Sequence, residues 1–159
     1  MTSRTHDDSP ARMILPMVPP RGLVEAILHE VRLACAARGL PACAVTVDVA
    51  DRHVLQVDPA TIRDILAGLF LAAFENASRP AAESDAPQVR EVVVTSIEHA
   101  DTIEIEVADS GPPGGIAGDP ALQALLGAVG GSLTNAACPE GGRAVTLRLP
   151  HRRLRRRAA

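Results

Sequence analysis

The 159-residue chain contains no lysine; all 16 of its basic side chains are arginine. It also lacks tryptophan and tyrosine, so Phe70 and Phe74 are its only aromatic residues. The scarcity of rings argues against a surface that reads single strands by stacking bases. The absence of lysine rules out a Gly-x-x-x-x-Gly-Lys phosphate loop. Cysteine is sparse too: Cys35, Cys43 and Cys138 form no C-x-x-C pair. An odd number without metal spacing is neither a disulfide framework nor a zinc site, and it fits a reducing cytoplasm. No apolar run approaches the ~20 residues that span a bilayer, and the polar N-terminus is not built like a signal peptide. These absences predict a soluble, cytoplasmic protein.

What is present is 47% hydrophobic residues and 19 carboxylates, for a net charge of −3. Five arginines (Arg152, Arg153, Arg155, Arg156 and Arg157) crowd into the last eight residues, so the remainder carries −8. Such a body has no basic face for duplex nucleic acid. The tail, residues 151–159, reads either as a solvated end or as a grip on an acidic partner, an anionic membrane or nucleic acid through charge alone. The length suits one domain, expected over residues 13–150 after a flexible stretch 1–12.

Along that domain, Met13–Val18 reads as a short strand closed by Pro19 and Pro20. Leu23, Ile27, Val31 and Ala34 then follow a helical period over Arg21–Ala37, stopped by Gly39 and Pro41. Val45, Val47 and Val49 alternate as a strand, and Val54–Val57 follows the Asp51–Arg52 turn. Asp58 is placed to cap a helix opened by Pro59, whose missing N–H costs nothing there. Ile62, Ile65, Leu66, Leu69, Phe70 and Ala73 form its apolar face. After a loop at 79–88 come strands Val89–Glu98 and Thr102–Asp109, the second with Ile103, Ile105 and Val107 alternating with carboxylates. Gly111-Pro112-Pro113-Gly114-Gly115 breaks the chain, and Asp119-Pro120 opens a helix to about Val129. A hairpin of Ser132–Ala137 and Ala144–Leu149 ends the domain. The order β-α-β-β-α-β-β-α-β-β predicts an α/β two-layer sandwich.

Three stretches in this order resemble the ATP-binding catalytic domain of sensor histidine kinases, the GHKL or Bergerat fold. The helix from Asp58-Pro59 through Ala73 is similar to the family's N-box helix. Val107-Ala108-Asp109-Ser110-Gly111-Pro112 is similar to its first glycine box. Gly130-Gly131-Ser132-Leu133, Gly141-Gly142 and Val145 to Pro150 resemble its glycine-rich end. The resemblance implies a mixed, largely antiparallel sheet with about three helices on one face. It implies ATP and Mg2+ as cofactors, with Asp109 receiving the adenine amino group and Gly111 letting the backbone approach the nucleotide. A hydrogen bond to a charged acceptor contributes about 1.5–3 kcal/mol, less than the ~4.1 kcal/mol of a millimolar complex. ATP binding therefore needs the phosphate end as well.

There the chain departs from the family. The two N-box asparagine positions are Gly68 and Ala72, neither of which offers an oxygen to a hard cation. Asn76, one turn on, is either a shifted Mg2+ ligand or simply the close of the helix. Only nine positions separate Asp109 from Gly118, the candidate for a glycine of the family's lid turn. Asp119 sets a carboxylate at the helix start where the triphosphate would lie. With no lysine, the compensating cation is expected to be an arginine such as Arg79. His29-Glu30-Val31-Arg32 superficially resembles the phosphoacceptor box but sits on the domain's own first helix. Residues 1–20 leave no room for a dimerisation hairpin, so a complete kinase is not expected.

The reading that combines frame and departures is a stand-alone histidine-kinase-like domain in two-component signalling. It would be a degenerate adaptor that docks a kinase or response regulator and needs no cofactor. The alternatives are an active ATP-binding domain phosphorylating a partner chain, an anti-sigma-factor-type serine kinase, or a structural subunit that forms a homodimer.

Overall fold

The computed structural model describes residues 15–80, 89–113, 120–138 and 141–151. The expected order of elements is found: β1 (Met17–Val18), α1 (Pro20–Ala37), β2 (Ala44–Asp48), β3 (Leu55–Gln56), α2 (Pro59–Ala77), β4 (Glu91–Glu98), β5 (Thr102–Asp109), α3 (Pro120–Val129), β6 (Ser132–Ala137) and β7 (Arg143–Pro150). The proposed flexible start at 1–12, most of the 79–88 loop, Gly118, Asp119 and the arginines of the tail lie outside the described residues.

Local chemistry explains the helix limits. Asp58 Oδ2 accepts the Thr61 N–H at 2.8 Å and its hydroxyl at 2.7 Å, so α2 starts at a satisfied cap followed by Pro59. Those two bonds, the hydroxyl first, hold the Asp58 carboxyl below its ordinary pKa. At the end of α1, Gly39 takes φ +75°, and the N–H groups of Leu40 and Gly39 return to the carbonyls of Cys35 and Ala36. That left-handed closure suits glycine, and the helix ends at Ala37, four residues before Pro41.

The five main strands form one sheet in the order β2-β4-β5-β7-β6. Only β2 and β4 run parallel, because α2 carries the chain between them; the other pairs are antiparallel. β1 and β3 pair separately, so the Asp51–Arg52 turn does not fold β3 back onto β2. Strand alternation divides the sheet into two faces. Val92, Val94, Ile103, Ile105, Val107, Leu147 and Leu149 are buried beneath the helices, while Thr95, Ile97, Glu104, Glu106 and Thr146 line a shallow groove on the open face. Ile62, Ile65, Leu66, Leu69 and Phe70 of α2 are fully buried and form the centre of the core. Each such side chain contributes about 1.5–3 kcal/mol on leaving water. The architecture is thus an α/β sandwich of three helices and a mixed, mostly antiparallel sheet. Among the described residues, no helix is long and apolar enough to cross a membrane.

Candidate functional site

The alternation that buries Ile103, Ile105 and Val107 also turns Asp109, the last residue of β5, toward the helices. Its side chain is 0% exposed. On the neighbouring β7 the same period places Arg143 on the inner side with Val145, Leu147 and Leu149, and the register pairs Arg143 with Asp109. The guanidinium lies with Nε and Nη2 each 2.9 Å from Asp109 Oδ2. On the other oxygen, Oδ1, the Asn76 side-chain amide donates at 2.6 Å and the Gly111 backbone N–H at 3.0 Å. A carboxylate has about four acceptor sites. Here four N–H contacts fill them, two on each oxygen.

The surrounding groups close the network. Arg143 Nη2 also donates to the carbonyl of Ala72 at 3.0 Å, and Asn76 Nδ2 also donates to Pro112 O at 3.1 Å. Two acceptors on one amide nitrogen fix which way the Asn76 side chain points. Gly111 packs directly on the end of α2, where a Cβ would overlap the Asn76 carbonyl. A Cβ at Gly142 would overlap the carbonyl of Asp109. These glycines bring protein backbone against protein backbone. Nearby, Ser110 Oγ accepts the Glu91 N–H at 2.9 Å and donates to Val89 O at 2.8 Å, tying the glycine box to the start of β4.

The structure therefore brings Asp109, Gly111 and Asn76 of the sequence-derived set together. Arg79 is exposed just beyond α2, where its backbone N–H bonds to Asn76 O at 3.0 Å. The cation paired with Asp109 is Arg143. The sequence reading missed Arg143, although one signal was available: it is a charge on the apolar side of an alternating strand. Gly68 is exposed, with open space around its Cα, and Ala72 contributes only its carbonyl.

The donor set does not suit Mg2+. That ion needs several hard oxygens. At Asp109 both oxygens are engaged, and the adjoining side chains are a neutral amide and a guanidinium. Among the described residues, no group of three or more His, Cys, Asp or Glu side chains could hold a metal. The other singled-out groups lie apart from this network. His29 is exposed on α1. Glu104 meets His99 Nε2 at 3.0 Å and Arg148 Nε at 3.4 Å on the open sheet face.

No protein-family model and no curated protein matches the chain. Solved structures do. The nucleotide-free catalytic domain of histidine kinase ThkA superposes with a TM-score of 0.66 at 13% identity, covering 87% of this chain and 96% of that one. A second form of the same domain gives 0.65 at 14% identity, covering 87% and 97%. The Acinetobacter baumannii histidine kinase AdeS gives 0.65 at 13% identity, covering 86% of this chain and 68% of that one. With so little identity the likeness is one of fold, and it extends over most of the chain. Its fold is that of histidine kinase catalytic domains.

Proposed function

We propose that the chain is a histidine-kinase-like module of a two-component pathway that has given up nucleotide binding and acts by docking a kinase or response regulator. One observation carries the reading: the carboxylate expected to receive adenine is saturated by Arg143, Asn76 and Gly111. A nucleotide would have to displace a buried, charge-assisted pair before gaining a single hydrogen bond. The missing N-box asparagines and the absence of lysine point the same way.

A titration with Mg-ATP, followed by melting temperature and amide NMR shifts, tests the proposal. A ligand at 100 times its Kd adds about 2.7 kcal/mol of stability. The expected result is no stabilisation and no localised shifts at millimolar nucleotide. Micromolar binding that disappears in Asp109→Asn would support an active kinase instead. Docking is tested separately by following the shifts of the labelled domain on adding a purified response regulator or kinase dimerisation domain.

A further inference from the structure

A cavity of about 350 Å3 opens between the C-terminal half of α1, the Leu40–Cys43 connection and Phe74 of α2. Its size falls in the range of small-molecule sites, and its lining shares no residue with the Asp109 network. Buried Phe74 and Cys43, with Leu33 and Leu40, make its wall largely apolar. The polar side chains among its lining are His29 and Arg32, with no carboxylate. Burial pushes the Cys35 and Cys43 thiols above the ordinary cysteine pKa, so they stay neutral and add no negative charge.

Arg32 is the second observation. Among the described residues, Arg21, Arg38, Arg63, Arg143 and Arg148 each pair with a carboxylate, whereas Arg32, like Arg52 and Arg90, pairs with none, and of these three Arg32 lines the cavity. Arg32 is thus an exposed guanidinium on the lining of the cavity, with no carboxylate paired to it among the described residues. Leu33 beside it is 59% exposed and adds apolar surface to the rim. A guanidinium fork matches a carboxylate in two parallel hydrogen bonds.

We propose that this cavity binds a small amphipathic monocarboxylate, its apolar body against Leu33, Leu40 and Phe74 and its carboxylate on Arg32. A single permanent cation beside an apolar wall suits one negative charge on a hydrocarbon better than a phosphate dianion. The proposal goes beyond the signalling role and does not depend on it.

Decanoate is a suitable probe, titrated into the full chain by calorimetry and amide NMR. The expected result is saturable one-to-one binding, with shifts confined to α1, the Leu40–Cys43 connection and the end of α2. Arg32→Gln, at an exposed position that makes no ion pair, should keep the melting temperature and weaken binding at least tenfold. Ala36→Phe, at another exposed position lining the cavity, should fill it and abolish binding. Decanol, with the same chain but no charge, should bind at least tenfold more weakly than decanoate. Failure of decanoate to saturate, equal affinity for decanol, or unchanged affinity in either variant would overturn the proposal.

Discussion

The helix-facing side of β4 and β5 carries a buried charge arrangement at each end, and the two are built differently. At one end Asp109, opposite Val92, is held by Arg143, Asn76 and Gly111. At the other, Glu98, opposite Ile103, faces two histidines: His151 Nε2 at 3.2 Å and His53 Nε2 at 4.0 Å. His53 is 2% exposed, its Nδ1 is 2.9 Å from Ser96 Oγ, and that oxygen also accepts the Ala50 N–H at 3.2 Å. Arginine keeps its proton over the whole physiological range, whereas histidine does not. The first end is therefore a fixed anchor and the second responds to pH. Asp109, which the sequence resemblance linked to adenine, belongs to the fixed end.

The largest effect is expected at the anchor. Asp109→Ala strands a buried guanidinium, and breaking such a pair costs about 3–5 kcal/mol. For a chain of this length that lowers the melting temperature by roughly 10 °C. Arg143→Met should cost less, about 2–3 kcal/mol, because Asn76 and Gly111 still donate to the carboxylate. Urea unfolding would rank the two, and an order opposite to this one would break the asymmetry between arginine and amide donors.

A smaller effect belongs to the other end. Burial lowers the pKa of His53 below 6.5; Glu98 opposes the shift, while Arg52 and His151 reinforce it. A folded-state pKa below the unfolded value means that His53 stays neutral in the fold while the unfolded chain takes up a proton. Its contribution to stability is thus complete above pH 6.5 and lost as pH falls through 6.5 toward the folded pKa. The slope is at most about 1.4 kcal/mol per pH unit. Chemical melts at pH 7.5, 6 and 5 should show the decline, and His53→Gln should flatten it. An equal slope in the variant would remove His53 as the cause.

The smallest effect is at the α2 cap. Asp58→Ala should lower the melting temperature slightly at neutral pH. Because the Asp58 carboxyl is held below 3.8, its contribution is present above that value and lost as pH falls through the folded pKa. The gap between wild type and variant should therefore narrow at about pH 2.5. A gap independent of pH would mean that the carboxylate is not the capping group.

Much of the frame was legible because it rests on local chemistry. The limits of β5 and β6 and the Asp58-Pro59 start of α2 fall where alternation and capping put them. Asn76 lies one turn past Ala72 on α2, and that spacing marked it as either a ligand or the close of the helix. Its partners were not legible, since they come from β5 and the Pro112 turn, 33 and 36 residues away. Arg143 was harder still. It lies just outside the strand Ala144–Leu149 expected from the sequence, and its partner depends on the register between β5 and β7, whose strands are separated in sequence by α3 and β6. The pairing of β3 with β1 rather than β2 escaped for the same reason, because a two-residue strand has too little pattern to choose its neighbour.

The account turns on Asp109 belonging to the protein's own interior, and a double-mutant cycle of Asp109→Ala with Arg143→Met measures that directly. If the two side chains hold each other, the double variant should be no less stable than Asp109→Ala alone, giving a coupling of about 2–3 kcal/mol. Losses that add to within about 0.5 kcal/mol would show the carboxylate and guanidinium to be independent. Arg143 would then not be what holds Asp109, and the account would be wrong.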